Sequence, residues 1–154
     1  MKSDLLKRMI DELEKKGRLA MERKYMQHGS TTIFEHSVHV AYTSLQMKRK
    51  LHIKADETSL VRGALLHDYF LYDWHIKGDR RSLHGFAHPQ KALENAREDF
   101  ALNAIEENII ARHMFPLTLL PPTCREAWIV CLTDKYCALG ETLSIRLPGT
   151  TANS

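Results

Sequence analysis

Three titratable side chains stand on helix faces that are otherwise apolar. His67 continues a row with Leu60 and Ala64 at positions i, i+4 and i+7, and Asp68 continues the neighbouring row. Asp134 lies in the middle of an apolar face of the last predicted helix. A buried carboxylate must be paired, protonated or bound to a metal ion. These positions therefore predict one shared polar site in the core.

Histidines supply further candidate ligands, because nine of them in 154 residues is a high number. His36 falls in the first turn of a long central helix, and His88 lies at a predicted helix entry. His113 continues the apolar row of Ile105 and Ile109. Neutral imidazoles together with carboxylates suit a divalent transition metal, namely Fe, Mn, Co, Ni or Zn. The set therefore predicts a divalent metal site.

Each of these residues also has a purely structural interpretation. A single histidine on an apolar face is usually a core residue with a hydrogen-bond partner, and this applies to His113 taken alone. Asp134 could pair with Arg62 or Arg112, and Asp68 could cap a following turn. The metal interpretation depends on the whole set, because separate coincidences would have to place a ligand shell on the inner faces of consecutive helices.

The elements that must position these residues are helices, since the hydrophobic spacing is helical nearly throughout and no stretch alternates convincingly as a strand. A first helix is predicted at about residues 4–16 and a second helical piece at about 18–27. Capping signals predict four later helix starts, at Thr32 with Glu35, Asp56, Asn103 with Glu106, and Thr123 with Glu126. Pro89 predicts another start directly after a polar loop at about 73–87. The result is an all-α bundle of roughly six or seven helices on one core.

Composition limits the class of protein and its partners. The chain carries 22 basic and 19 acidic residues, a balance that does not indicate a nucleic-acid partner. No apolar run approaches the ~20 residues that span a bilayer, and the N-terminus does not resemble a signal peptide, so we expect a cytoplasmic protein without a membrane partner. The three cysteines form no CxxC pair and are predicted to be buried free thiols. We expect one domain over residues 1–154 with a loose tail at 148–154.

Three segments carry the predicted ligands in a recognisable order, namely FEHSVHVA with His36, ALLHDYF with His67 and Asp68, and IVCLTDKYCAL with Asp134. Together they resemble the HD-domain superfamily of metal-dependent phosphohydrolases, whose pattern is a His, an adjacent His-Asp pair and a distant Asp. The resemblance covers about residues 31–139. It implies an HD-domain-like compact helical bundle and a metal site on these four residues.

The resemblance also extends to members of the superfamily that bind two metal ions and have two further histidines between the His-Asp pair and the last Asp. HPQKA, which begins at His88, resembles the first of these motifs, and IARH, which ends at His113, resembles the second. His84 competes with His88 for the same role. No Gly-Lys follows the His-Asp pair, and the GYP segment of the cyclic-dinucleotide phosphodiesterases is missing. The resemblance therefore implies one or two ions and leaves the substrate open.

The reaction that the resemblance implies is hydrolysis of a phosphate ester or anhydride, of a nucleotide or similar small molecule, by metal-activated hydroxide. His67 and Asp68 are expected to carry catalysis, with Asp68 bridging two ions. Such a reaction also needs cationic side chains that bind the phosphate oxygens not held by the metal. The candidates, each of which also suits an ordinary solvated surface, are Lys77, Arg80, Arg81, Arg112 and Lys135.

Three alternatives to a hydrolase remain open from the sequence. One is a non-catalytic metal or nucleotide sensor on the same fold. Another is an oxygenase with a di-iron centre, since some relatives with this fold use two irons oxidatively. The last is a helical interaction domain without a metal. Oligomeric state is not predicted by any feature of the chain.

Overall fold

The structure is a computed structural model that describes residues 4–73 and 84–146. The described elements, in chain order, are α1 (Asp4–Lys16), a 3₁₀ helix (Leu19–Lys24), β1 (Met26–His28), β2 (Thr31–Thr32), α2 (Ile33–Lys50), α3 (Glu57–Leu66), α4 (His84–Asp99), α5 (Ala104–Arg112) and α6 (Arg125–Arg146). The predicted all-α class is confirmed. Across these two ranges, no helix has both the length and the apolar character that a bilayer span requires.

Local capping signals set the starts of three helices. The Thr32 side chain accepts the backbone N–H of Glu35, and the Glu35 carboxylate accepts the N–H of Thr32. Asn103 and Glu106 form the same reciprocal pair at the start of α5, and Asp56 caps α3. Side-chain caps satisfy backbone donors that a helix start leaves free. The predicted starts of α2, α3 and α5 are therefore confirmed.

Helix α3 lies at the centre of the core, packed against α2 and α5. Leu60, Ala64 and Leu65 are completely buried. Gly63 allows α5 to approach closely, since a Cβ at that position would come within 2.5 Å of Ile109 Cδ1. This close approach brings together the ends of α3 and α5, where His67, Asp68 and His113 follow.

The segment between α1 and α2 differs from its prediction. In place of one helical piece at about 18–27, a short 3₁₀ helix is followed by an antiparallel pair of strands, β1 and β2. Gly29 makes the turn with a φ of 57°, a conformation that glycine adopts without steric cost. Strands of two and three residues are too short to show an alternating pattern.

The starts of α4 and α6 also differ from prediction. Helix α4 begins at His84, so Pro89 lies inside the helix and not at its first position. The capping box predicted for α6 is wrong, because both of its side chains make contacts with other elements. The Thr123 hydroxyl accepts a hydrogen bond from Asn108, and the Glu126 carboxylate accepts one from the backbone N–H that precedes α3.

Candidate metal centre

Four predicted ligands meet in the core. Nε2 of His36 lies 2.9 Å from Oδ1 of Asp134 and 3.7 Å from Oδ2 of Asp68. Nε2 of His67 lies 3.3 Å from each of the same two carboxylate oxygens. All four side chains are buried, and one ligand atom from each lies within 4.8 Å of all the others. This group, the first cluster, can surround one metal ion.

A second cluster shares Asp68 with the first. Oδ1 of Asp68 lies 3.2 Å from Nε2 of His88 and 3.3 Å from Nε2 of His113. The two imidazole nitrogens are 2.9 Å apart. Asp68 therefore directs Oδ2 toward the first cluster and Oδ1 toward the second. A carboxylate that bridges two cations needs this division of its oxygens.

The chain positions the ligands mainly through helix termini. His67 and Asp68 directly follow α3, and His113 directly follows α5. His36 lies in the first turn of α2, while Asp134 lies in the middle of α6. Side chains at helix termini can converge from several elements without breaking a helix interior. His88, within α4, completes the set.

Backbone carbonyls orient two of the histidines. Nδ1 of His67 lies 2.6 Å from the carbonyl oxygen of Ala64, and Nδ1 of His113 lies 2.8 Å from that of Ile110. In each case Nδ1 is the donor to the carbonyl, which leaves Nε2 as the available ligand atom. Such outer hydrogen bonds fix the tautomer and the ring orientation of metal-binding histidines.

Two polar residues that sequence reasoning missed also support the centre. Nε2 of Gln27, on β1, donates to Oδ2 of Asp68 at 2.8 Å. Nδ1 of His36 lies 2.9 Å from a carboxylate oxygen of Glu141. Glu141 could have been found, because it follows Asp134 by seven positions and so shares its face of α6. Nothing in the sequence around Gln27 indicated its role.

The charges within the centre reinforce one another. Burial opposes a charge on His36, but hydrogen bonds to Asp134 and Glu141 raise its pKa to about 9. Against the same effect of burial, Asp68 and Asp134 raise the pKa of His67 well above its ordinary value. Burial also disfavours both carboxylates, yet the facing imidazoles hold their pKa values well below the usual range. Metal ligation requires neutral imidazoles, so metal binding would release protons.

Glu22, in the 3₁₀ helix, is a further buried carboxyl group that sequence reasoning missed. It is completely buried, and burial raises its pKa well above the usual range despite the nearby charges of His67 and His36. Burial thus favours the protonated form of this carboxyl group. Glu22 lies three residues after the buried Leu19, but the six residues of LAMERK are too few to show an apolar face that would have pointed to it.

Unsatisfied atoms show that the centre fits a cation. Nε2 of His67 and Oδ1 of Asp68 are buried, and although each lies 3.2–3.3 Å from groups of the other cluster members, neither makes a well-directed hydrogen bond to the described part of the chain. Leaving such an atom unsatisfied costs about 1–3 kcal/mol. Ligation would satisfy both atoms, and the mixture of imidazole and carboxylate suits Fe, Mn, Co, Ni or Zn. The residues present therefore fit one or two divalent ions.

The arginine salt bridges considered for Asp134 are not formed. Arg62 donates to Glu106 at 2.8 Å, and Arg112 donates to the carbonyl oxygen of Pro121 at 3.3 Å. Neither arginine forms a salt bridge with Asp134, whose partners among the described residues are His36 and His67.

A cavity of about 560 Å³ opens onto both clusters. The residues that line it are Gln27, His28, Asp68, His88, Met114, Pro116, Leu117, Asp134, Lys135 and Ala138. Three of the predicted metal ligands thus line the cavity, namely Asp68, His88 and Asp134, and apolar side chains form much of the remaining lining. The cavity gives a small molecule access to the ligand atoms.

The cationic side chains predicted to bind phosphate have different positions. Lys135 lines the cavity, and its Nζ donates to the carbonyl oxygen of His113 at 2.9 Å. Arg112 does not line the cavity. Lys77, Arg80 and Arg81 lie outside the described residues, and so does the side chain of His84. His84 was expected to compete with His88 for the same role, and the backbone of His84 forms the first residue of α4.

Comparison with known proteins gives one family that agrees with this fold. The family model of the HD domain matches residues 33–139, which is most of the chain. The chain therefore belongs to the HD domain family, and the resemblance of its three motifs is confirmed. Neither the curated proteins nor the solved structures give a significant match.

Glu141 provides a test of the outer hydrogen bonds. We expect Glu141→Gln to weaken metal binding by about 10–100-fold, because removing a partner of a ligating histidine has that effect in other metal sites. Metal titration of the variant measures the loss. Glu94→Gln, on the exposed surface of α4, is the control and should bind as the unmodified protein does. Equal affinities in all three proteins would mean that Glu141 does not support the ligand.

Proposed function

We propose that the protein is a metal-dependent phosphohydrolase that cleaves a phosphate ester or anhydride of a nucleotide or similar small molecule. The observation that carries this proposal is the position of Asp68, whose two oxygens face two separate groups of buried ligands. Two divalent ions held in this way suit the hydrolysis of phosphate esters. Membership of the HD domain family supports the same reaction class.

The residues of the chain have distinct tasks in this reaction. His36, His67 and Asp134 would hold one ion, His88 and His113 the other, and Asp68 both. Bound divalent ions supply an activated water and neutralise the charge on phosphoryl oxygens. Gln27 keeps Oδ2 of Asp68 in place through its hydrogen bond. Lys135 adds positive charge at the cavity, which favours the approach of an anionic substrate.

A turnover assay tests the proposed function. The metal-loaded protein is incubated with phosphomonoesters, phosphodiesters and nucleotides, and the release of phosphate or alcohol is measured. We expect hydrolysis of at least one class, loss of that activity after chelation, and none in His67→Ala. No turnover by a protein that retains its ions would contradict the proposal and favour a metal or nucleotide sensor. Oxygen consumption by the iron-loaded protein would instead favour a di-iron oxygenase.

Metal content gives a separate prediction. Purified protein should carry about one or two transition-metal ions per chain, given its ligand types. Metal present at 100 times its Kd adds about 2.7 kcal/mol to stability, which in a chain of this size raises Tm by about 5–11 °C. Elemental analysis and thermal melts with and without chelator measure both effects. The absence of metal together with unchanged melts on adding Mn, Fe, Co or Ni would contradict the metal site.

A further inference from the structure

We propose that the outer part of the cavity binds an apolar organic group, so that the substrate is a phosphomonoester of an apolar alcohol. This inference rests on the proposed function and adds a substrate class to it. The wall in question, the apolar wall, consists of Met114, Pro116, Leu117 and Ala138.

The apolar wall is held at a fixed place relative to the metal ligands. Met114 directly follows His113, and Ala138 follows Asp134 by one helical turn. The backbone N–H of Leu117 donates to the carbonyl oxygen of Met114 at 2.8 Å. The wall therefore adjoins both clusters through short stretches of chain, and a phosphate held at the metals would place its ester group beside it.

The turn after α5 is also secured to α6. Nζ of Lys135 donates to the carbonyl oxygen of His113, and the Cys131 thiol donates to that of Phe115 at 3.4 Å. Small-molecule pockets are largely preformed and apolar, with few polar groups. A wall fixed in this way fits that description.

Exposure indicates that the wall has an occupant. The Leu117 side chain is 46% exposed, and Pro116 beside it is exposed as well. Single exposed apolar residues are ordinary on protein surfaces, but these line a concave site that ends at a metal centre. A volume of about 560 Å³ lies within the range of ligand pockets and leaves room beyond a bound phosphate group.

The charge of the cavity favours a monoester. Lys135 is the one lysine or arginine among the described lining residues. Its Nζ already donates to the carbonyl oxygens of His113 and Cys131 and to the Cys131 sulfur. It therefore contributes charge but has no donor to spare for a second phosphate. The described lining therefore has few groups that could bind a second phosphate, whereas its apolar side chains could contact an apolar group.

A series of alkylphosphonates, which are not hydrolysed, tests the wall by binding alone. Methyl-, butyl- and hexylphosphonate are titrated into the Mn-loaded protein by calorimetry, with phenylphosphonate as the aromatic probe. We expect the affinity to rise about fourfold per methylene that contacts the wall, as burial of each contributes ~0.8 kcal/mol. A gain for the ring, the chain or both supports the proposal and shows which shape the wall prefers. Equal affinity across the series, or no binding, overturns it.

Two leucine variants locate the effect. Leu117→Asn should reduce the ratio of hexyl to methyl affinity at least tenfold, whereas Leu119→Asn should preserve it, because Leu119 is 87% exposed and does not line the cavity. Both side chains are exposed, so both variants should fold, and thermal melts check this. The same ratio in Leu117→Asn as in the unmodified protein would overturn the proposal.

Turnover of the matching alkyl phosphates is measured separately and distinguishes this inference from the proposed function. A steep phosphonate series in a protein that hydrolyses neither the alkyl phosphates nor any other phosphomonoester, phosphodiester or nucleotide supports the apolar site and contradicts the phosphohydrolase. Hydrolysis together with equal affinity for all the phosphonates supports the phosphohydrolase and contradicts the apolar site.

Discussion

Asp68→Ala is expected to empty both metal positions and to abolish metal-dependent hydrolysis. Asp68 is the one residue common to both clusters, and its oxygens lie 3.2–3.3 Å from His67, His88 and His113. Losing only an outer partner of a ligand costs about 10–100-fold in affinity or activity. Losing a shared ligand should therefore cost more than about 100-fold. Elemental analysis and the turnover assay measure the two losses.

The controls for this prediction separate ligation from folding. Asp11→Asn changes an exposed aspartate on α1 and should retain metal and activity. His67→Ala and Asp134→Ala should also abolish activity, since both belong to the first cluster. Circular dichroism shows whether each variant keeps its helices. An Asp68→Ala protein with its full metal content and activity would refute the bridging role.

His88→Ala and His113→Ala are each expected to reduce the metal content from two ions per chain to one. Both histidines belong to the second cluster only, where they and Asp68 complete the set of described ligands. Removing either leaves two protein ligands for that ion, whereas the first cluster keeps all four. Elemental analysis gives the stoichiometry, and anomalous scattering locates the remaining ion.

A histidine outside the centre provides the matched control for these two variants. His52 is exposed and has a φ of 52°, so His52→Asn suits the backbone and should leave both ions bound. His39 is less suitable because Nδ1 lies 3.6 Å from Glu141, which itself contacts a ligand. A single ion at saturating metal, far from His88 and His113, would refute the binuclear site and leave the mononuclear one.

The sequence was sufficient for features that depend on near neighbours in the chain. The starts of α2, α3 and α5 follow from caps within three or four residues, and those interactions need no tertiary partner. The positions of His67 and Asp68 on apolar rows also followed from helical spacing. A titratable group on a core face indicates a functional or paired site, because burying it without a partner is unfavourable.

The limits of the sequence appear where one side chain has several possible partners. Thr123 and Glu126 have the spacing of a capping box, but distant groups use both side chains. Helix α4 begins before the proline that was expected to start it. Gln27 and Glu22 occur in segments without an apolar pattern, so their burial was not predicted. These outcomes depend on which elements pack together.

For the centre itself, the sequence alone determined the ligand types and their order along the chain, because helical spacing and the cost of buried charge are local properties. Only the tertiary structure decided how the ligands divide. Asp68 is adjacent to His67 in the chain, yet its Oδ1 faces His88 and His113 from two other helices. The apolar wall was likewise decided by packing, since the turn after α5 and helix α6 supply it jointly. Contacts between elements far apart in sequence depend on how the whole core packs, and the residue spacing within one helix does not predict them.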